Sequence, residues 1–113
     1  MPSPGTATVI FFRASRFMGA AVGFIVREGQ TELGKLRSGT YFSIQVPPGK
    51  HMFTVHSEAK DDLTMEADAG ETYYFEGSIG AGVMVGHPHL APSDQASYEA
   101  AKPKMKESPP LSK

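Results

Sequence analysis

Cysteine is absent from the 113 residues of this chain, so no thiol can serve as a nucleophile. The absence leaves the compartment open, because cytosolic and exported proteins can both lack cysteine. Neither sign of charge dominates, since 11 basic and 12 acidic residues give a net charge of −1. There is no basic stripe and no apolar run near the ~20 residues of a membrane-spanning helix. These features argue against a nucleic-acid-binding protein and against a helical membrane protein.

The first five residues lack the features of an export signal. They read Met-Pro-Ser-Pro-Gly, with no charged n-region and no apolar h-region. We therefore expect the targeting segment of an exported native protein to lie upstream of Met1. In that case residues 1–5 are a short lead into the domain.

Complete catalytic motifs are also missing. No serine lies in a Gly-x-Ser-x-Gly elbow, and no cleft is evident from which a pair of catalytic carboxylates could be argued. The glycines at 77, 80 and 82 have the spacing of a phosphate loop, but Val-Met-Val-Gly follows instead of a helix start with Lys-Ser/Thr. We predict a protein that is not an enzyme and that carries no cofactor.

What the sequence does contain is a series of short strands with alternating apolar residues. Four such runs lie between residues 41 and 75, separated by turns at Pro47-Pro48-Gly49, Lys60-Asp61-Asp62 and Ala69-Gly70. Three runs precede them, at 6–13, 20–27 and 31–37. The first has two apolar faces and should be central, and the third should bulge at Gly34. The pattern predicts a mainly β protein, an antiparallel seven-stranded sandwich of immunoglobulin-like or transthyretin-like type.

The same alternation predicts which side chains face the core. In the four later runs these are Phe42, Ile44, Val46, Phe53, Val55, Leu63, Met65, Ala67, Tyr73 and Phe75. A short C-terminal helix, capped by Ser93 or Asp94, should then run through Ala101. We divide the chain into a lead at 1–5, a sandwich domain with the helix at 6–101, and a disordered Lys/Pro-rich tail at 102–113.

His87 and His89 form the sharpest chemical candidate. On an extended segment, residues i and i+2 point to the same side, so the two imidazoles could converge on one metal ion. A zinc site needs a third or fourth ligand, and Asp94 is the only one nearby. The alternative, which we favour, is an exposed turn stiffened by Pro88 before the helix.

Two further groups are weaker candidates for binding. Arg13 and Arg16 flank a loop and could bind an anion or a glycan carboxylate, although two solvated arginines are the simpler interpretation. The glycine-rich apolar segment containing Gly80, Gly82 and Gly86 predicts either a bent strand or a surface that packs on a partner.

Several motifs together resemble a known bacterial family. These are ATVIFFRASRFMGAA near the start, LGKLRSGTYFSIQVPPGKHMFTV in the middle and AGETYYFEGSIGAG later. The combination is similar to the domain of unknown function family 2846, and the PPGKH and AG-x-TYY elements also resemble PEGA-type and transthyretin-like sandwiches of surface proteins. Family members are small, many are thought to be lipoproteins or otherwise exported, and none has an established activity. The resemblance therefore implies a small exported β-sandwich and supplies no catalytic residue.

The leading functional hypothesis is a non-catalytic bacterial envelope module in the periplasm or on the outer membrane. It would bind an envelope protein, a glycan or a membrane-associated partner, with no nucleic acid, and would touch the membrane only through a lipid anchor upstream of Met1. One alternative is a metal-dependent, hydrolytic activity centred on His87 and His89. Another is a cytosolic structural subunit.

Overall fold

The computed structural model describes residues 5–14, 23–56, 60–80 and 87–108. No helix among them is long and apolar enough to span a membrane. In chain order the elements are β1 (Ala7–Arg13), β2 (Phe24–Glu28), β3 (Thr31–Leu36), β4 (Thr40–Val46), β5 (Gly49–His56), β6 (Lys60–Ala67), β7 (Thr72–Gly80), β8 (His87–Pro92), α1 (Gln95–Ala101) and β9 (Lys106–Glu107), with a 3₁₀ turn at Lys102–Lys104 between α1 and β9.

The strands form two sheets packed face to face. One sheet has five strands in the order β8-β7-β1-β4-β9, and the other has four in the order β3-β2-β5-β6. The prediction of a mainly β sandwich with a short C-terminal helix is confirmed. β1 lies at the centre of its sheet, as its two apolar faces predict.

The structure differs from the predicted antiparallel seven-stranded arrangement in two respects. Nine strands are described instead of seven, because β8 and β9 are added after β7. In addition, β1 pairs in parallel with β7, and β4 pairs in parallel with the two-residue β9. The parallel β1–β7 pair arises because the chain crosses to the other sheet for β5 and β6 and returns beside β1 in the same direction. Hairpin spacing alone carries no information about that crossover.

The core between the sheets is built from phenylalanine rings. Phe11 is fully buried, and its ring centroid lies 5.1 Å from that of Phe42, 5.1 Å from that of Phe53 and 5.8 Å from that of Phe75. Stacked, tilted and edge-on pairs at these spacings are the arrangements that aromatic quadrupoles favour. The predicted inward residues lie in or against this core. Period-2 alternation therefore sets the register correctly.

The predicted bulge in β3 is confirmed. The β2–β3 register shifts between Val26 and Arg27, which leaves Leu33 as the extra residue on β3. Leu36 is fully buried, and Leu33 packs against the core from a partly buried position. A Cβ at Gly34 would lie 2.7 Å from the ring of Phe42, so the strand can approach β4 this closely only with glycine there.

A second, smaller apolar cluster lies on the outer face of the five-stranded sheet. Phe12, Tyr98 and Met105 are buried there, and four partly buried side chains pack around them, namely Ile10, Tyr41, Tyr74 and Ala101. Tyr98 on α1 makes ring contacts with centroid distances of 5.5 Å to Phe12, 5.6 Å to Tyr41 and 5.5 Å to Tyr74. The helix is therefore held to the sheet mainly by one aromatic side chain.

The expectation of a disordered tail from Lys102 is wrong for residues 102–108. Met105 is only 8% exposed, and the backbone continues the sheet through bonds from Lys106 N to Gly39 O (2.9 Å) and from Ser108 N to Tyr41 O (2.7 Å). Burial of one methionine and these edge hydrogen bonds order a segment whose composition is typical of disorder. Residues 109–113 lie outside the described residues.

Candidate functional site

A groove of about 350 Å³ lies where β7 begins, β8 ends and α1 starts. Its volume is within the ordinary range for small-ligand sites, roughly 300–1,000 Å³. It is lined by Thr72, Tyr73, Tyr74, Phe75, Pro92, Ser93, Asp94 and Gln95. The lining combines aromatic rings with hydroxyl, amide and carboxylate groups, so a ligand could find both packing and hydrogen-bonding partners there.

The groove exists because β8, which runs antiparallel to β7, ends before it reaches the first residues of β7. Pairing between the two strands stops at Phe75 and Pro92, and Ser93 N then donates to Tyr74 O at 2.8 Å. Since alternate residues of a strand present N–H and C=O to the same edge, Thr72 points its backbone groups to the same side as Tyr74. That position lies beyond the last residue of β8, so the edge of β7 at Thr72 faces the groove.

The charge of the groove comes from Asp94, the residue just before α1. Asp94 is the N-cap, and its side chain accepts a hydrogen bond from Ser97 N at 2.8 Å. Hydrogen bonds from Ser97 lower the pKa of the Asp94 carboxyl, so the groove carries a negative charge at neutral pH. Gln95 donates from Nε2 to Glu99 Oε2 at 2.8 Å, which fixes its amide at the rim.

The two tyrosines of the groove are anchored differently. The hydroxyl of Tyr73 accepts from Asp68 N at 2.8 Å, so it secures the turn before β7. Tyr74 packs against Tyr98, and burial together with the charge of Glu99 raises the pKa of its phenol. The phenol of Tyr74 therefore stays neutral at physiological pH and offers ring surface instead of charge.

His87 and His89 both lie in β8, an edge strand of the five-stranded sheet. Their backbone positions pair with Gly80 and Ser78 of β7. The third candidate ligand, Asp94, is engaged as the helix cap. In the part of the chain that the structure describes, no group of three or more potential metal ligands comes together. The side chains of the two histidines lie outside that part.

Arg13 is held inside the protein. Its side chain is 4% exposed, Nη1 donates to Leu36 O at 3.3 Å, and the guanidinium lies 5.4 Å from the centroid of the Phe24 ring. This placement makes Arg13 a packing residue at one end of the sandwich and removes it from the accessible surface. Arg16, Gly82 and Gly86 lie outside the described residues, and Gly80 is the last residue of β7.

Gly77, which begins the glycine spacing considered above, has a packing role. A Cβ there would lie 2.8 Å from Leu36 Cδ1 and 2.9 Å from Phe24 Cζ. The glycine thus lets β7 approach the opposite sheet closely, as the interpretation of a strand glycine predicts.

Sequence reasoning did not find the groove residues Thr72, Ser93 and Gln95. The available signal was the Pro92-Ser93-Asp94 sequence, which ends a strand and starts a helix within three residues. Such a change of direction leaves the neighbouring strand without a partner at that point. The position of β8 beside β7 was needed to locate it.

The protein is a small two-sheet β-sandwich with a helix over one face and a groove beside that helix. The chain belongs to the family described as a protein of unknown function, DUF2846, whose model matches residues 3–88. This confirms the resemblance seen in the sequence. Comparisons with curated proteins and with solved structures give no match.

Proposed function

We propose that this protein is a non-catalytic binding module of the bacterial envelope that takes a neutral oligosaccharide in the groove beside α1. The observation that carries the proposal is the groove itself, with the edge of β7 at Thr72 facing Ser93 and Gln95 across about 350 Å³. Backbone and side-chain donors and acceptors arranged around aromatic surface suit a ligand rich in hydroxyl groups.

The charge of the groove narrows the class of ligand. The ionised Asp94 carboxylate at its rim would repel phosphate, sulfate or carboxylate groups, since like charges in proximity are unfavourable. One oxygen of that carboxylate caps the helix, and the other can accept a hydroxyl. A neutral sugar supplies such donors at no electrostatic cost.

Partner binding by strand addition is less well supported. At one edge of the five-stranded sheet, β8 carries Pro88 and Pro92, which have no backbone N–H, and at the other edge β9 has only two residues. In the four-stranded sheet one edge strand, β3, is bulged, and the other, β6, has four charged residues among its eight. Proline, short length, bulges and charged side chains are devices that discourage a further strand from pairing. A discrete groove is therefore the better candidate for recognition.

The envelope location is supported by the family resemblance, because members of the family are in large part thought to be exported or lipid-anchored. Fractionation of cells that carry a tag on the native chromosomal copy tests the location. Recovery with the membrane and periplasmic fractions is expected, and recovery with the cytosol would contradict it.

The ligand proposal is tested by calorimetric titration with a panel of neutral and acidic oligosaccharides. We expect at least one neutral member to bind, and we expect Ser93→Ala and Gln95→Ala to weaken that binding by roughly tenfold, which corresponds to about one hydrogen bond. Ser43→Ala, at an exposed position of β4, is the matched control and should bind normally. Equal affinity in all three variants, or binding of acidic members only, would contradict the proposal.

A further inference from the structure

His51 lies at the start of β5 with both ring nitrogens engaged. Nδ1 lies 2.5 Å from Glu28 Oε2 at the end of β2, and Nε2 lies 2.8 Å from Pro47 O in the turn before β5. The residue is 8% exposed, and its ring is parallel to that of Phe53, with 6.0 Å between centroids. The sequence predicts an ordinary surface histidine with a cross-strand partner. The partner is present, but the ring is buried.

The chemistry of the two partners determines the protonation of this ring. A backbone carbonyl oxygen can only accept, so Nε2 must carry a proton to bond Pro47 O. An ionised carboxylate can also only accept, so Nδ1 must carry a proton to bond Glu28. A neutral imidazole has one proton and would leave one of these partly buried contacts without a donor. Only the imidazolium satisfies both acceptors.

The described neighbours of the ring along β5 and across on β6 carry no charge. Its register neighbour on β6 is Met65, and along β5 it stacks on Phe53, neither of which titrates. Pro47 contributes a carbonyl alone. Among the side chains that the structure describes, Glu28 is thus the one charged group that acts on the ring.

We propose that His51 is held as an imidazolium at neutral pH and acts as an ionic staple that ties the Pro47-Pro48-Gly49 turn to the end of β2, and that the staple is lost when the pH rises. The turn it secures contains Gly49 at φ +126°, a conformation that favours glycine. The staple therefore connects the constrained turn that carries the chain from β4 in one sheet to β5 in the other with β2, the neighbour of β5 in the four-stranded sheet.

The direction of the pH dependence follows from the contacts. Burial by itself lowers the pKa of His51, but the bond to Pro47 and the bond and charge of Glu28 together outweigh it and leave the pKa raised above 6.5. A pKa raised by folding stabilises the fold fully below the unfolded-state value. The contribution is lost as the pH rises through the folded-state value. The protein should consequently be held more firmly in mildly acidic surroundings than in alkaline ones.

Nitrogen-detected NMR of the histidine rings tests the proposal directly. The chain has four histidines, and the His51 signals are assigned as those that disappear in His51→Gln. We expect both ring nitrogens of His51 to be protonated at about pH 7 and its titration midpoint to lie above the ordinary ~6.5. A neutral ring at about pH 7, or a midpoint at or below the ordinary value, would overturn the staple.

Glu28→Gln keeps the shape and removes the charge. Because the amide can donate to Nδ1, a neutral ring is satisfied in this variant, so the His51 midpoint should fall below that of the wild type. Glu66→Gln, at an exposed position of β6, is the matched control and should leave the midpoint unchanged. An unchanged midpoint in Glu28→Gln would overturn the proposal. If either Glu28→Gln or His51→Gln fails to fold, the titration midpoint of His51 in the wild type still tests the proposal. Its ring signals are then assigned by through-bond NMR correlations to the backbone.

Discussion

The outer faces of the two sheets contrast sharply. On the five-stranded sheet, outward residues such as Ile10, Phe12, Tyr41 and Tyr74 are apolar or aromatic, and α1 covers them. On the four-stranded sheet the corresponding positions are mostly polar, and most of those that the structure describes are exposed, so we term this the uncovered face. They include Arg27, Lys50, Met52, Thr54, Asp62, Thr64 and Glu66. One chain therefore builds a solvated face and a face that needs a third layer.

The uncovered face is held by cross-strand polar pairs. Thr54 donates to Asp62 Oδ1 at 2.8 Å, and Arg27 pairs with Glu32 at 2.8 Å. Exposed pairs of this kind contribute about 0–1 kcal/mol each. The covered face instead depends on buried aromatic surface, which contributes more per residue. The two faces should therefore respond very differently to substitution.

The largest effect is expected under the helix. Phe12→Ala removes a ring that is 1% exposed and takes from Tyr98 one of its two edge-on partners. We expect a loss of about 3–5 kcal/mol in the free energy of unfolding, the usual range for truncation of a buried aromatic. Urea unfolding measures it. A loss below about 1 kcal/mol would mean that the helix covers the sheet without supporting it.

Removal of residues 102–113 should have the next largest effect. It deletes buried Met105, the β9 pairing to β4, and the Lys102 ammonium that lies 5.9 Å from the Tyr41 ring and 5.6 Å from the Tyr98 ring. A loss of about 2–4 kcal/mol is expected from the methionine and the edge hydrogen bonds. Thermal unfolding of the shortened chain checks it. A melting temperature equal to that of the full chain would show that residues 102–113 do not stabilise the fold, as their composition predicts.

The helix cap gives a smaller effect with a pH signature. Asp94→Ala removes the acceptor for Ser97 N and should lower stability at neutral pH. Hydrogen bonds from Ser97 lower the pKa of Asp94, so its contribution is present above the unfolded-state pKa and is lost as the pH falls through the folded-state value. The difference between wild type and variant should therefore shrink in acid. A difference that is constant from acid to neutral pH would remove this explanation.

The smallest effect is expected on the uncovered face. Met52 is 47% exposed, and Met52→Thr keeps a residue that suits a strand. We expect a change within about 0.5 kcal/mol, as for surface substitutions in general. Because it tests the opposite face, this variant is the control for Phe12→Ala. A loss comparable with that of Phe12→Ala would show that the uncovered face is covered in solution.

Sequence patterns predict the sandwich core well and its outer layer poorly. Alternation placed Phe42, Phe53 and Phe75 inward, because side-chain period is a local property of a strand. Alternation also placed Tyr41 and Tyr74 outward, but it did not show that α1 and Met105 would cover them. That contact joins residues distant in the chain, and composition favoured a disordered tail.

In the candidate site, too, local features were predictable from the sequence and contacts between distant strands were not. The local sequence predicted Ser93 or Asp94 as the helix cap, and the structure shows that the cap is Asp94. The groove required knowing that β8 ends beside β7 at Phe75, and the engagement of His51 by Glu28 required knowing that β2 lies beside β5. Arg13 is buried at the end of a strand whose apolar alternation gives no warning of a buried guanidinium. The surroundings of the groove, of His51 and of Arg13 each depend on residues from other strands.

The most direct test of the proposed function is an NMR titration that follows every backbone amide as a neutral oligosaccharide is added. We expect shifts concentrated at residues 72–75 and 93–95, on the covered side of the molecule, with little change at Met52, Thr54 and Thr64. Shifts concentrated on the uncovered four-stranded face, or no saturable shifts with any neutral oligosaccharide of the panel, would contradict it.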